Sequence, residues 1–205
     1  MSSMSPLRRV VFIALFAALF VLFSAIQIQF GVSPVPFTLQ TMAVALAGAF
    51  LGPRDGFLSI LLVYALAATG LPMIDGRGGL ALFAGATAGF LWMFPICAFI
   101  IGLIVPRILQ TIGARNKTLA FLLVLTVMEV VGSLLTYVGG IPWLMHVAGM
   151  SFEKAMVVGC YPYLLPDLLK NVVVAAAAIA LRPYLPSLRL LRRKGSSAEP
   201  YARQA

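Results

Sequence analysis

The sequence predicts an all-α membrane protein, a bundle of six transmembrane helices with both termini in the cytoplasm, and three observations carry that prediction. The chain of 205 residues is 61% hydrophobic and only 10% charged, with a mean hydropathy of +1.02. A soluble domain is nearer half apolar and a quarter charged, and a small core has no room for the excess apolar side chains. Residues 10–53 contain no ionisable side chain; that run is well beyond the ~20 residues of one span, so it holds two. The basic residues, which give a formal net charge of +9, sit at the chain ends and between apolar runs. That placement points to a lipid bilayer rather than to nucleic acid as the partner.

The elements follow in order. Helix 1 is expected over Leu7–Phe30, with Arg8 and Arg9 before a run too long for a cleaved leader. The segment Gly31-Val32-Ser33-Pro34-Val35-Pro36 breaks it, because closely spaced prolines end a helix and impose an extended turn. Helix 2 is expected over Thr38–Leu51, and Gly52-Pro53-Arg54-Asp55 is a tight polar turn before helix 3 at Gly56–Thr69. A glycine-rich loop, Gly70 to Gly79, leads to helix 4 at Ala84–Leu109. Helix 5 is expected over Thr118–Val138, broken by Gly139-Gly140-Ile141-Pro142. Ser151–Gly159 reads as a short helix, and the last span runs from Leu164 to Leu181, before Arg182-Pro183. Helices 2, 3 and 6 are short for a full span. The whole chain, 1–205, reads as one transmembrane domain with a disordered basic tail at about 188–205.

Orientation follows from charge. Arg8, Arg9, Arg54, Arg107, Arg115, Lys117, Arg182, Arg189, Arg192, Arg193, Lys194 and Arg203 fall on one side of this topology, and only Arg77 and Lys154 on the other. The positive-inside rule makes the first side cytoplasmic and turns the loops around Pro34, Arg77 and His146 outward.

Ionisable groups at membrane depth are costly, so Glu129, Asp167 and Lys170 are the candidates for chemistry. Asp167 and Lys170 are three apart, on one helix face, just after Pro166 at a helix start. An acid accepts hydrogen bonds from N–H groups and a lysine donates to a carbonyl or carboxylate. A ligand with a cyclic urea and a carboxylate tail would use both; otherwise the two neutralise each other. Glu129 is either a proton-linked group or an interhelical hydrogen bonder, and without a visible partner the structural role is favoured. Arg77, among glycines, is a loop residue able to clamp an anion, and Asp75 beside it is able to pair it off. Phe37, Trp143, Tyr161 and Tyr163 cluster near the outer breaks as an interfacial aromatic belt, with one of the tyrosines a candidate to pack on a ligand. A lone histidine, His146, makes no metal site, and Cys97 and Cys160 read as small buried hydrophobes. Ala14 and Ala18 form a small-xxx-small pair in helix 1.

Several pieces in this order carry a resemblance: Val35-Pro36-Phe37-Thr38-Leu39-Gln40-Thr41, Leu51-Gly52-Pro53-Arg54, Gly70-Leu71-Pro72 with its loop, Gly139 to Trp143, and Tyr161-Pro162 through Pro166-Asp167 to Lys170. Together they resemble the substrate-binding (S) subunit of energy-coupling-factor (ECF) biotin transporters, the BioY family, over nearly the whole chain. The resemblance implies a six-helix bundle in the inner (plasma) membrane with a biotin site near the outer face, capped by the loops between helices 1 and 2 and between helices 3 and 4. It implies that Asp167 and Lys170 contact biotin and that Ala14 and Ala18 dock on a transmembrane coupling (T) subunit. It also implies paired ATPase (A) subunits, which alone use ATP, and no cofactor in this chain. Transport would proceed by tilting of the whole subunit. Pro166 stands where the family often has glycine. An arginine that some members place in or near helix 4 has no counterpart between Arg77 and Arg107, which leaves Arg77 as the charged substitute.

Two other readings stay open at this level: a carrier or S subunit for another small vitamin or organic anion, and an intramembrane enzyme. The chain has no phosphate loop of the G-x-x-x-x-G-K-[ST] type and no H-E-x-x-H. Hydrolytic chemistry needs a nucleophile with its base, or a metal cluster, which one histidine hardly supplies.

Overall fold

The structure, a computed structural model, describes residues 5–28 and 35–186. The expected end of helix 1 at Phe30, the break at Pro34 and the basic tail from 188 onward lie outside the described residues. α1 (Pro6–Ala25) opens with Ser5, whose hydroxyl accepts from the Arg8 amide at 3.3 Å, and with Pro6 in its first turn. Only Ala17, Phe20 and Ser24 of this helix are buried, while Leu7, Val10, Val11, Leu15 and Leu22 are exposed, as suits a helix against lipid.

The helix stops short of the expected boundary. Ile26 is already extended, and β1 (Gln27–Ile28) pairs antiparallel with β2 (Phe37–Thr38), Gln27 opposite Thr38 and Ile28 opposite Phe37. A backbone leaving a helix near lipid must satisfy its N–H and C=O groups elsewhere, and this ribbon does so.

α2 (Gln40–Leu51) and α3 (Pro53–Ala68) meet at Gly52, whose φ of 86° is the left-handed conformation glycine adopts without strain. A short 3₁₀ turn at Leu80–Phe83 lies just before the expected start of helix 4 at Ala84, and α4 itself begins later, running over Ala88–Thr111. It is the central helix, packed on α2, α3 and α6. Small residues allow these approaches: a Cβ at Gly48 would lie 2.5 Å from the Ala98 carbonyl, and one at Gly102 would lie 2.5 Å from the backbone of Gly52 and Pro53.

The largest difference from expectation comes next. α5 (Lys117–Val127), a π-helical stretch over Met128–Leu134 and α6 (Leu135–Ala148) form one continuous rod of 32 residues. Gly139-Gly140-Ile141-Pro142 therefore does not break the helix. The glycines serve packing instead: a Cβ at Gly139 would meet Met93 at 2.5 Å, and one at Gly140 would meet the Phe90 ring at 2.3 Å. Pro142 sits inside α6, which a membrane helix tolerates when neighbours support the freed backbone.

α7 (Phe152–Gly159) is capped by the Ser151 hydroxyl, and α8 (Leu164–Ala180) closes the bundle. In α8 the buried positions are Asp167, Lys170, Asn171, Val174, Ala175 and Ala178, a single helical stripe, while Leu165, Leu168, Leu169, Val172 and Val173 are exposed. The chain is a multi-pass membrane protein: α1, α4, the α5–α6 rod and the α7–α8 segment are long and apolar enough to cross a bilayer. α2, with 12 residues, is an apolar helix too short for that. At 1.5 Å per residue it spans ~18 Å of a hydrocarbon core ~30 Å thick. The ribbon continues from its N-terminus, and that shortfall leaves room for a site.

Candidate functional site

The site lies at the end of the bundle formed by the starts of α2, α4 and α8 and by α6, beneath the ribbon and the loop between α3 and α4. Asp167 and Lys170, on consecutive turns of α8, have side chains only 5% and 9% exposed and are 2.5 Å apart. Each is held by a second element. The Tyr137 hydroxyl of α6 donates to Asp167 at 2.5 Å. The Lys170 ammonium donates to the Thr38 carbonyl at 3.1 Å and to the Thr41 hydroxyl at 2.8 Å, and stands 4.8 Å from the centre of the Phe37 ring. Burying a charge is costly unless it is paired and hydrogen-bonded, and both charges here are.

Asp75 supplies a second carboxylate to the same cavity. It accepts from the Gln40 amide at 2.7 Å and from the Arg77 guanidinium at 3.2 Å, and its backbone amide donates to Ser24 of α1 at 3.3 Å. Burial pushes its pKa above the ordinary carboxylate value, against the opposing influence of Arg77 and Gln40. The Tyr163 hydroxyl donates to the Val35 carbonyl and so ties the start of α8 to the segment leading into the ribbon. Phe90, Leu91 and Phe94 of α4 form an apolar wall, and Thr87 and Thr136 add hydroxyls.

Of the residues expected at the site, Asp167, Lys170, Tyr163 and Phe37 line the cavity. Tyr161, Trp143 and Arg77 do not. Tyr161 is exposed, the Trp143 indole donates to the Gly85 carbonyl at 2.9 Å, and Arg77 reaches the lining only through Asp75. Ala14 and Ala18 lie on the exposed face of α1, away from the bundle. Glu129 has a partner that its own helix does not reveal: the Asn171 amide of α8 donates to it and to Ser133, both at 2.8 Å. Gln40, Thr41, Asp75, Thr136 and Tyr137 belong to the lining as well, although reading the sequence does not pick them out as ligand contacts. The signals that exist are the Asp75-Gly76 pair, a tight-turn dipeptide, and the spacing of Glu129, Ser133 and Tyr137, which puts all three on the side of the rod that meets α8.

Charges retained this deep in a lipid-embedded bundle, converging with aromatic and amide groups on one cavity, define a solute-binding membrane protein. The chain belongs to the BioY family, whose model matches residues 1–187. It is 39% identical over 189 residues to the biotin transporter BioY of Rhizobium etli, covering 88% of this chain and 97% of the relative. It is 39% identical over 199 residues to the biotin transporter BioY of Rhodobacter capsulatus, covering 90% and 98%. The crystal structure of an S-component for biotin from an ECF-type ABC transporter superimposes with a TM-score of 0.77 at 24% identity, over 89% of this chain and 95% of that one. These relatives are named as transporters or a transporter component, not as enzymes.

Proposed function

We propose that this chain is the biotin-binding S subunit of an ECF-type uptake transporter and delivers biotin across the membrane together with a T subunit and A subunits. One observation carries the chemistry: a buried acid and a buried base share a cavity of hydrogen-bonding and aromatic groups. Biotin offers a flat cyclic urea with two N–H donors and one carbonyl. In this reading Asp167 accepts from the urea N–H groups, Lys170 donates to an acceptor of the ligand, and the rings of Phe37 and Phe90 cover the fused bicycle.

Orientation supports capture from outside. Arg8, Arg9, Arg54, Arg107, Arg115, Lys117 and Arg182 belong to the bundle end where α1, α3 and α5 begin and α2, α4 and α8 finish, and the cavity belongs to the opposite end. By the positive-inside rule, the arginine-rich end is cytoplasmic and the cavity faces out. The exposed alanines of α1, Ala14 and Ala18, are then available to a T subunit within the bilayer.

The test is calorimetric titration of the purified chain in detergent with biotin and, separately, with other water-soluble vitamins. The wild type binds biotin in preference to the others. Asp167→Asn and Lys170→Met each weaken that binding by roughly 2–5 kcal/mol, the cost of leaving one member of a buried charge pair without its partner, and hence by more than tenfold. Selective binding of a different vitamin, or undiminished biotin binding by both variants, overturns the reading.

A further inference from the structure

The attachment of α1 to the bundle is uneven along its length. Its buried residues, Ala17, Phe20 and Ser24, all lie in the half toward the cavity. Phe20 packs edge-on against Tyr64 and Phe94, with ring centres 6.3 and 6.1 Å away. The Ser24 hydroxyl lies 3.2 Å from the Met73 carbonyl and accepts from the Asp75 amide at 3.3 Å. From Pro6 to Phe16, by contrast, no residue is buried; Phe12, Ile13 and Phe16 are half-buried, with the Phe16 ring 5.9 Å from that of Phe50. In a bilayer such apolar contacts hold weakly, because a lipid tail replaces an apolar neighbour at little cost.

The polar tie between this half of α1 and another described element is the pair of Arg9 and Asp55. Arg9 Nε donates to both carboxylate oxygens, at 2.7 and 2.9 Å, and Nη2 donates to one of them at 2.5 Å. The Asp55 side chain is 7% exposed and that of Arg9 47%. Asp55 stands in the first turn of α3, where the helix dipole favours an anion. Burial makes a cation necessary, and Asp55 takes it from α1 across the bundle rather than from its neighbour Arg54. A forked contact of this kind sets direction as well as distance. Ala14 falls between the two attachments, about 7.5 Å along the axis from Arg9 and about 4.5 Å from Ala17 at 1.5 Å per residue. Without the pair, Ala14 would sit on an end of the helix held from one side alone. Small residues serve helix contacts only where two backbones approach closely, which demands a set helix direction.

We infer that the Arg9–Asp55 pair positions the first half of α1 for docking, so that Ala14 and Ala18 meet the T subunit at a set angle. This inference rests on the transporter reading and adds to it a pair of residues that governs energised uptake without touching biotin.

The experiment compares wild type, Arg9→Gln, Arg9→Lys and the double variant Arg9→Gln/Asp55→Asn, each carrying an affinity tag. Biotin titration is done on the isolated chain; recovery of the T subunit on the tagged chain, and biotin uptake, are measured in cells that also express the T and A subunits. Arg9→Gln is expected to leave the titration unchanged and to lower both T-subunit recovery and uptake by about threefold to tenfold, the scale of a half-exposed forked pair. The double variant removes both charges, so no acid is left buried and unpaired, and it is expected to match Arg9→Gln because the two residues act as a unit. Arg9→Lys recovers part of the loss, since it restores the charge without the fork. Undiminished uptake by Arg9→Gln, normal uptake by the double variant, uptake lost with T-subunit recovery intact, or a matching loss of biotin binding overturns the role of the pair and leaves the transporter reading standing. A wild type that takes up no biotin in those cells overturns both.

Discussion

Tyr137 donates to Asp167 from a position in α6 that reading the sequence passes over. The contact matters because Asp167 is buried, and its carboxylate needs every donor the bundle supplies. Tyr137→Phe removes one hydroxyl and leaves the ring, which packs edge-on to Phe90. Biotin affinity is expected to fall by about tenfold or less, in keeping with a charge-assisted hydrogen bond, with the thermal midpoint in detergent little changed; titration and a melting curve on the same preparation check both. At this scale the sequence discloses the residues whose cost is visible without a partner. Asp167 and Lys170 stand out because charged groups are rare in spans. Gln40, Thr41 and Tyr137 do not, because each is ordinary in its own segment and acquires its place only when α2, α6 and α8 meet. Asp75 lies between these cases: its neighbour Gly76 marks the turn, but nothing local directs the side chain inward.

Packing of the helices around α4 depends on glycines that bring backbones together. A Cβ at Gly102 would lie 2.5 Å from backbone atoms at the junction of α2 and α3, which have no rotamer through which to yield. Gly102→Ala is therefore expected to destabilise the bundle by roughly 1–3 kcal/mol, the usual range for overpacking. Gly85→Ala, where the nearest atom would be an ordinary 3.5 Å away, is the control. Melting of both variants in detergent checks the pair, and a neutral Gly102→Ala would mean that the two backbones separate readily. The same principle explains where reading the elements from the sequence goes wrong. Gly139, Gly140 and Pro142 carry a local signature of a helix end, yet α6 continues because its neighbours fill the space against those glycines. Short α2, the short helix before α8 and the start of α8 at Leu164 are legible because their boundaries are set by local chemistry: Gly52-Pro53, the Ser151 cap and the prolines around Tyr161. The π-helical stretch is not legible, and Glu129 within it meets Asn171 of α8 in a contact that no local signal announces.

The whole molecule sorts its charge. One end carries all the described arginines but Arg77, with Arg9 gripping Asp55 through contacts of 2.5 to 2.9 Å, so that the starts of α1 and α3 are joined, and with Arg182 of the segment after α8 donating to the Gly113 carbonyl at 2.8 Å. The other end carries the cavity. Between them, the exposed side of α1 contributes little to the core, and on the proposed reading that side is free to meet a T subunit away from the cavity. Ala14→Trp is expected to leave biotin titration of the isolated chain unchanged and to abolish biotin uptake by cells that also express the T and A subunits; loss of binding in the isolated chain would show that this face of α1 is not a separate docking surface. The ribbon that covers the cavity has its own consequence. Lys170 grips the Thr38 carbonyl of that ribbon and also faces the interior, and Tyr163 grips the Val35 carbonyl a few residues earlier. On the proposed reading the ammonium that meets biotin is also the one that fastens this cover, so a guest that draws Lys170 away from Thr38 loosens the roof over its own seat.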